Sequence, residues 1–166
     1  MKIEIEDLTP QDIEKVFWKA VEKGWGSGKI KKQESPLLPW YKCIEFFSGK
    51  FRVLDTYCTT PLNDKSVGFT IIWFDDIPIW TMNYGGEYPE HTIPFLKLAL
   101  QSTIIRRDFI GGRGPSRFTH EDYPDLIYTN NVYSMKRAFS NFSGQEHIYE
   151  KGNLVGHHDY WGMSLI

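Results

Sequence analysis

Hydrophobic residues dominate two neighbouring segments near the middle of the chain, residues 68–74 and 77–86. Both segments are rich in β-branched and aromatic side chains, and the polar pair Asp75–Asp76 separates them. Glycines stand at their outer ends, at Gly68 and at Gly85–Gly86. Such side chains are typical of strands, and a short polar break between two strands is typical of a hairpin. The pattern therefore predicts a β-hairpin at the centre of a sheet.

Two other segments have the spacing of helices. In the first, Thr9–Pro10 is a helix-start signal, apolar residues recur every three or four positions, and Gly24 stands where the helix can end. We expect this helix over residues 10–23. In the second, Ile93, Leu96, Leu100 and Ile104 follow the same spacing, which predicts a helix over residues 90–105.

Strand-like segments account for most of the remaining chain: residues 41–47, 51–58, 126–130, 132–142, 146–150 and 154–161. Residues 133–139 also allow a helix, and turns are predicted at 143–145 and 151–153. Residues 24–39 are predicted to form an exposed loop. Short connections imply antiparallel pairing. We predict an α+β fold in a single domain, residues 1–166: a curved antiparallel sheet of about seven to eight strands with two main helices packed against it.

Composition narrows the functional classes. The chain has 166 residues, a formal net charge of −2 and a pI near 6.2, without the basic excess of nucleic-acid-binding proteins. Its apolar runs are too short to span a membrane, and residues 1–7 carry no apolar signal segment, so we expect a cytoplasmic protein. Cys43 and Cys58 are accordingly expected to be free thiols rather than a cross-strand disulfide.

One predicted strand face combines a carboxylate with aromatic residues. Alternation places Asp55 on the face that also holds Phe51, Val53 and Tyr57. A carboxylate in such surroundings must be paired, hydrogen-bonded or shifted in pKa. We therefore predict either a structural network or the floor of a pocket for a small polar ligand. The candidate binding residues of that pocket are Asp55, Tyr57, Trp80, Asn83 and Tyr84.

The glycine-rich segment 111–118 carries two further candidate binding residues, Arg113 and Arg117. Arginine offers planar, bidentate donors to carboxylates and phosphates, so this loop is the first choice for the clamp of an anionic ligand. The alternative is a solvated loop whose arginines balance nearby acids.

Metal and catalytic motifs are not indicated. On a strand, His157 and His158 point to opposite faces, so they are not expected to share an ion. We predict no metal, no cofactor and no assigned catalytic residue, although enzymatic activity stays open.

Several motifs together resemble a small bacterial domain family of unknown function. They include Asp55–Tyr57, the Trp-x-Met-Asn-Tyr-x-Gly run of residues 80–86, the Gly112–Pro115 loop and the closing segment from Phe142 to Tyr160. The resemblance covers about residues 40–162. It implies a module that occurs alone or behind a helix-turn-helix domain of the lambda-repressor type, with no catalytic residues to carry over. The first 39 residues of this chain depart from that arrangement, since they show one helix only.

These observations predict a soluble, non-enzymatic binding module that recognises a small polar or anionic ligand or a protein partner. The first alternative is a protein that neutralises a toxin, in the manner of an immunity protein. The second is an enzyme with a pocket around Asp55 and Asn83. Neither a nucleic acid nor a membrane is an expected partner.

Overall fold

Nine strands form one antiparallel sheet in the computed structural model, which describes residues 8–26, 30–133 and 139–166. Their order across the sheet is β1-β2-β3-β4-β5-β9-β8-β7-β6. The strands are β1 (Gln33–Glu34), β2 (Tyr41–Ser48), β3 (Phe51–Thr59), β4 (Lys65–Phe74), β5 (Ile77–Glu87), β6 (Arg117–Phe118), β7 (Leu126–Val132), β8 (Asn141–Glu150) and β9 (Asn153–Ser164). The predicted α+β class is confirmed, and the short edge strands β1 and β6 raise the strand number to nine.

The sheet is a meander whose last strand lies near its middle. Strands β2 to β5 pair in sequence order, as the central hairpin predicts, and β9 then pairs with both β5 and β8. The register aligns Asp55 with Thr70 and Thr70 with Met82, so these three side chains lie in one row. Because side chains alternate along each strand, this row faces the helices.

Helix α1 (Pro10–Val21) begins at a capping box. The Thr9 side chain accepts from the Asp12 backbone N–H, and the Asp12 side chain accepts from Thr9, which satisfies donors that a helix start leaves free. Its buried face includes Ile13, Val16 and Phe17, and a π-helical turn (Glu22–Gly26) follows it. The first helix is thus close to its predicted bounds.

Helix α2 (Ile93–Arg106) follows a short 3₁₀ turn (Glu90–Thr92). Its C-cap residue is Arg107, which has the left-handed backbone of many helix ends. It packs beside α1 on the same face of the sheet, since residues of both helices line one cavity over β3 and β4. In the described part of the chain, neither helix is long and apolar enough to cross a membrane.

The core divides into two clusters of buried residues. The larger one lies under α1 and is centred on Trp80, which is fully buried and stacks on Phe139 at 5.0 Å between ring centroids. The Trp80 indole N–H also donates to the Phe139 carbonyl at 2.9 Å. The smaller cluster lies under α2 and includes Phe95, Tyr128 and Ile148. The central hairpin therefore contributes to the larger core cluster, as its pattern indicates.

The predicted turn at residues 143–145 is wrong, because β8 runs through it from Asn141 to Glu150. Gly144 serves close packing instead of a turn, since a Cβ atom there would lie 2.2 Å from the Tyr160 hydroxyl oxygen. The predicted strand over residues 132–142 is also replaced, because β7 ends at Val132 and residues 139–140 form a turn. Most of the alternative helix over 133–139 lies outside the described residues.

Cys43 and Cys58 are free, as predicted, and both are half-buried. In the register of β2 with β3, Cys43 is opposite Thr56 and Cys58 is opposite Tyr41, so the two cysteines do not face each other directly.

Candidate functional site

A cavity of about 50 Å³ lies between the sheet and the two helices. A water molecule needs about 10–15 Å³ by this measure, so there is room for about three to five waters or for a small ligand. The walls are mainly apolar and aromatic, with a few polar groups. They comprise Phe17, Trp18, Ala20, Val21, Ile44, Phe46, Val53, Asp55, Thr70, Met82, Tyr84, Leu100, Thr103, Ile104, Gly112 and Arg113. We call this space the Asp55 cavity.

Asp55 is the buried carboxylate on the floor of the cavity, with only 5% of its surface exposed. Its Oδ1 atom accepts from the Thr70 hydroxyl at 2.8 Å and from the Tyr84 hydroxyl at 3.2 Å. Its Oδ2 atom is buried and has no hydrogen-bond partner among the described residues. A buried polar atom is normally satisfied by protein or by ordered water, so Oδ2 is an acceptor that a water molecule or a ligand can use.

Burial raises the pKa of Asp55 to about 7, even though the hydrogen bonds from Thr70 and Tyr84 act in the opposite direction. The positive charges of Arg113 and Lys32 also lower the pKa, but by less. Loss of hydration penalises the charged carboxylate, so the group changes protonation near neutral pH instead of near its ordinary value. Asp55 is therefore half ionised near neutral pH.

Thr103 provides a second unsatisfied polar atom on the helix side of the cavity. The residue lies in α2 with 1% of its surface exposed, and its Oγ1 atom has no hydrogen-bond partner in the described part of the chain. Helical threonines commonly bond a carbonyl one turn earlier, which would have satisfied this hydroxyl. The residues that line the cavity thus include two with a buried, unsatisfied polar atom, one on the sheet and one on a helix.

A second buried carboxylate, Glu146 on β8, has the opposite environment. Arg113 donates to both of its carboxylate oxygens, with the Nε–Oε2 distance at 3.0 Å. The hydroxyls of Tyr88 and Tyr128 donate to it at 2.8 and 2.7 Å. We call Glu146, Arg113, Tyr88, Tyr128 and the adjoining His158 the Glu146 cluster. Its carboxylate is fully engaged by donors.

The electrostatics of the Glu146 cluster follow from this pairing. Burial alone would raise the pKa of Glu146, but the Arg113 charge and its hydrogen bonds outweigh burial and hold the pKa below its ordinary value. Burial and the Arg113 charge lower the pKa of His158 to about 3, so its imidazole is neutral. The His158 Nδ1 atom lies 3.9 Å from Glu146 Oε1, which is beyond hydrogen-bonding distance. Arg113 and Glu146 are the charged pair of this cluster at neutral pH.

The loop before β6 is held so that Arg113 can enter the interior. The Asn130 side chain donates to the carbonyls of Ile110 and Gly114 at 3.0 and 2.7 Å, and the Gly114 N–H donates to the Tyr128 hydroxyl. Gly112 has φ of +68°, a left-handed backbone that favours glycine, and a Cβ atom there would come within 3.3 Å of Phe17. The glycines of this loop therefore serve close packing beside the cavity.

The structure brings together three of the seven predicted binding residues, since Asp55, Tyr84 and Arg113 all line the cavity. Arg113 also lies over the Tyr84 ring, with its Cζ atom 5.1 Å from the ring centroid. Tyr57 shares the inner face, but its hydroxyl accepts from Lys32 at 2.8 Å and it does not line the cavity.

Trp80, Asn83 and Arg117 lie elsewhere. Trp80 is on the inner face but belongs to the packed core under α1. Asn83 lies between the buried Met82 and Tyr84, so alternation turns it to the outer face of the sheet. Arg117 is exposed on β6 at the edge of the sheet, and it does not act with Arg113, whose guanidinium is bound to Glu146.

Sequence reasoning missed Glu146, Tyr88, Tyr128 and Thr103. A signal for Glu146 was present, because Phe142, Glu146 and Ile148 alternate on one strand face together with Gly144. The false turn at residues 143–145 concealed that alternation. Nothing local indicated that Glu146 would meet Arg113, which lies 33 residues earlier.

Across the described ranges, no group of three or more His, Cys, Asp or Glu side chains could hold a metal ion. His157 and His158 do face opposite sides, with His158 buried in the Glu146 cluster and His157 only half-buried.

Comparison with known proteins gives a family but no function. No curated protein and no solved structure matches the chain. The model of a domain of unknown function, DUF5680, matches residues 55–165. The matched region begins at Asp55 and includes most of the sheet, α2, the Arg113 loop and the whole Glu146 cluster. The chain therefore belongs to the DUF5680 family of domains of unknown function.

Proposed function

We propose that this protein is a binding module that holds a small ligand in the Asp55 cavity, between the sheet and the two helices. The observation that carries the proposal is the pair of buried, unsatisfied polar atoms in one cavity, Asp55 Oδ2 and Thr103 Oγ1. Small-molecule sites are typically apolar hollows with a few convergent polar groups, and the Asp55 cavity has that composition.

The other polar groups of the cavity support binding over catalysis. Arg113 is engaged by Glu146, while the Thr70 and Tyr84 hydroxyls both donate to Asp55 Oδ1. Groups held in this way fix the orientation of the carboxylate, and they leave its second oxygen as the recognition atom. A protein of this kind senses or carries its ligand without changing it.

A thermal-shift screen of small metabolites tests the proposal. A ligand at about 100 times its dissociation constant should raise the melting temperature by about 5–10 °C. The variant Ala20→Leu places a larger side chain in the cavity wall and should abolish that shift. The matched control is Lys19→Leu, which adds the same side chain at an exposed position of α1. This variant should retain the ligand-induced rise in melting temperature.

A high-resolution electron density map completes the test. Density for a bound molecule that contacts Asp55 and Thr103 would support the proposal. The proposal fails if no compound stabilises the protein and if the cavity contains only ordered waters bonded to these two atoms, since such waters are part of many folds.

A further inference from the structure

The charges around the Asp55 cavity do not balance, and this imbalance indicates which ligand the cavity would accept. Arg113 and Glu146 form a buried ion pair whose charges cancel each other. His158 behind them is neutral. When Asp55 is ionised, its negative charge has no ion-pair partner among the described residues. A cationic ligand would supply the missing charge, whereas an anionic ligand would add to the excess.

The hydrogen-bonding pattern points in the same direction. Asp55 Oδ1 already accepts two hydroxyl hydrogens, and Oδ2 accepts none. An ionised carboxylate can only accept, so a partner for Oδ2 must bring a donor. The hydroxyl of Thr103, another residue that lines the cavity, can accept or donate.

The walls of the cavity suit a cation with an apolar body. Phe17, Trp18 and Phe46 present aromatic rings, and Leu100 and Ile104 provide aliphatic surface. Aromatic rings attract ammonium groups through their quadrupole, and the attraction grows when water is excluded.

We propose that the Asp55 cavity binds a small organic cation with N–H donors, such as a short primary ammonium ion, through Asp55 Oδ2. This inference rests on the proposed function, because it names the class of ligand for the same cavity. The nitrogen donates to Oδ2, and the carbon chain lies against the apolar residues of α1 and α2.

Other charged and titratable groups lie around the Asp55 cavity. Tyr84 on β5 donates to it, and Arg113 approaches from the loop before β6. Lys32 lies before β1 and is bonded to Tyr57, and Lys23 of the π-helical turn lies 5.1 Å from the Phe46 ring centroid.

Both lysines are exposed, so solvent screens their repulsion of a cation. The residues that α1 and α2 contribute to the cavity lining carry no titratable side chain.

Three small probes of similar size test the class of ligand: n-propylammonium, 1-propanol and propionate. Each is titrated into the full chain at pH 6 and at pH 8, at constant ionic strength, while NMR follows the backbone amides of the cavity residues. Because the pKa of Asp55 is about 7, the ionised fraction rises from about one tenth to about nine tenths over this interval. The affinity for propylammonium should therefore increase about tenfold, that for propanol should stay constant, and that for propionate should fall.

Two aspartate-to-asparagine variants supply the controls. Asp55→Asn keeps the shape of the side chain but should remove the pH dependence and reduce propylammonium affinity to that of propanol. Asp76→Asn, at an exposed position in the turn between β4 and β5, should leave both unchanged. If Asp55→Asn does not fold, the three pH profiles of the natural chain decide by themselves.

The outcomes separate this inference from the proposed function. The cationic assignment is overturned if propionate or propanol binds more tightly than propylammonium. It is also overturned if the affinity for propylammonium does not change with pH or in Asp55→Asn. Either result leaves the proposal of ligand binding intact. If none of the three probes perturbs the cavity residues while the metabolite screen yields another ligand, only the cationic assignment fails. If the screen also yields nothing and the cavity contains only ordered waters, both fail.

Discussion

Two buried carboxylates on the same face of one sheet differ in how completely they are satisfied. Glu146 receives hydrogen bonds from Arg113, Tyr88 and Tyr128, and its pKa lies below its ordinary value. Asp55 has one oxygen bonded and one without a partner beside a cavity, and its pKa rises to about 7. Burial is common to both, so burial alone does not mark a binding site. The number of donors decides whether a buried acid serves the fold or remains available to a ligand.

The comparison predicts its largest effect at Arg113. Replacing it in the variant Arg113→Met leaves Glu146 as a buried, uncompensated charge, which should lower the free energy of unfolding by about 3–5 kcal/mol. Chemical denaturation at pH 7 measures the loss. The control Arg52→Met breaks a half-exposed ion pair with Glu45 and should cost under about 1 kcal/mol. Equal losses in the two variants would contradict the distinction.

Replacing Asp55 should have the opposite effect to replacing Arg113 and should stabilise the protein. Its pKa is about 7 in the folded state and 3.8 ordinarily, so the folded state holds the proton more tightly. Stability therefore falls as pH rises from about 4 to 7, because the unfolded chain releases the proton first. Asp55→Asn removes this loss and should raise the free energy of unfolding by up to about 4 kcal/mol at pH 8.

The difference between Asp55→Asn and the natural chain, measured by denaturation from pH 4 to pH 8, checks this sign. It should be small at pH 4 and largest at pH 8. Taking the difference is necessary because His158, with its pKa lowered to about 3, adds stability with rising pH up to about 6.5 and masks Asp55 in the natural chain. A difference that stays constant across the range would show that Asp55 does not titrate as described.

Tyr88 should have an intermediate effect. The variant Tyr88→Phe removes one of the hydroxyl donors to Glu146 and should destabilise the protein by about 1.5–3 kcal/mol, the usual contribution of a hydrogen bond to a charged group. Tyr133→Phe is the matched control, because the Tyr133 hydroxyl bonds Gln145 at an exposed site. Thermal and chemical denaturation should show little change for the control. If Tyr88→Phe left the free energy of unfolding unchanged, the remaining donors would be sufficient for Glu146.

The smallest predicted effect compares two buried threonines. The Thr103 hydroxyl has no partner, whereas the equally buried Thr92 hydroxyl donates to the Pro89 carbonyl at 2.8 Å. In the absence of ligand, Thr103→Val should stabilise the protein by about 1 kcal/mol and Thr92→Val should destabilise it by a similar amount. Opposite signs in chemical denaturation would support the distinction. Destabilisation by both would indicate that Thr103 already has a partner, such as a bound water.

Period-two alternation predicted the part of the site that lies within single strands. It correctly places Asp55 with Val53 on the inner face. The same rule places Asn83 on the outer face, because its neighbour Tyr84 points inward. The prediction of Asn83 as a binding residue relied on its polarity and not on its position in the strand. The helices were recognised because their apolar spacing and end signals are local.

Pairings across the sheet could not be predicted in the same way. The contact between Arg113 and Glu146 forms because the loop before β6 folds back onto β8. Local sequence patterns do not indicate a contact between residues so far apart in the chain. The Asp55 cavity likewise depends on how α1 and α2 settle against β3 and β4, which is a matter of side-chain volumes. An unsatisfied hydroxyl such as that of Thr103 is visible only when every neighbour has been placed.

The central position of β9 has a consequence for the order in which the molecule assembles. Strands β2 to β5 pair with neighbours in sequence, and so do β7 and β8, but Trp80 pairs with Ser164 across half of the chain. Closing so long a loop costs entropy before its contacts can form, so the joining of β5 to β9 is expected to be the slow step of folding. Until then β5 keeps an open hydrogen-bonding edge, which is prone to pair with other chains. The strand that completes the sheet is thus also the one that protects the protein from aggregation.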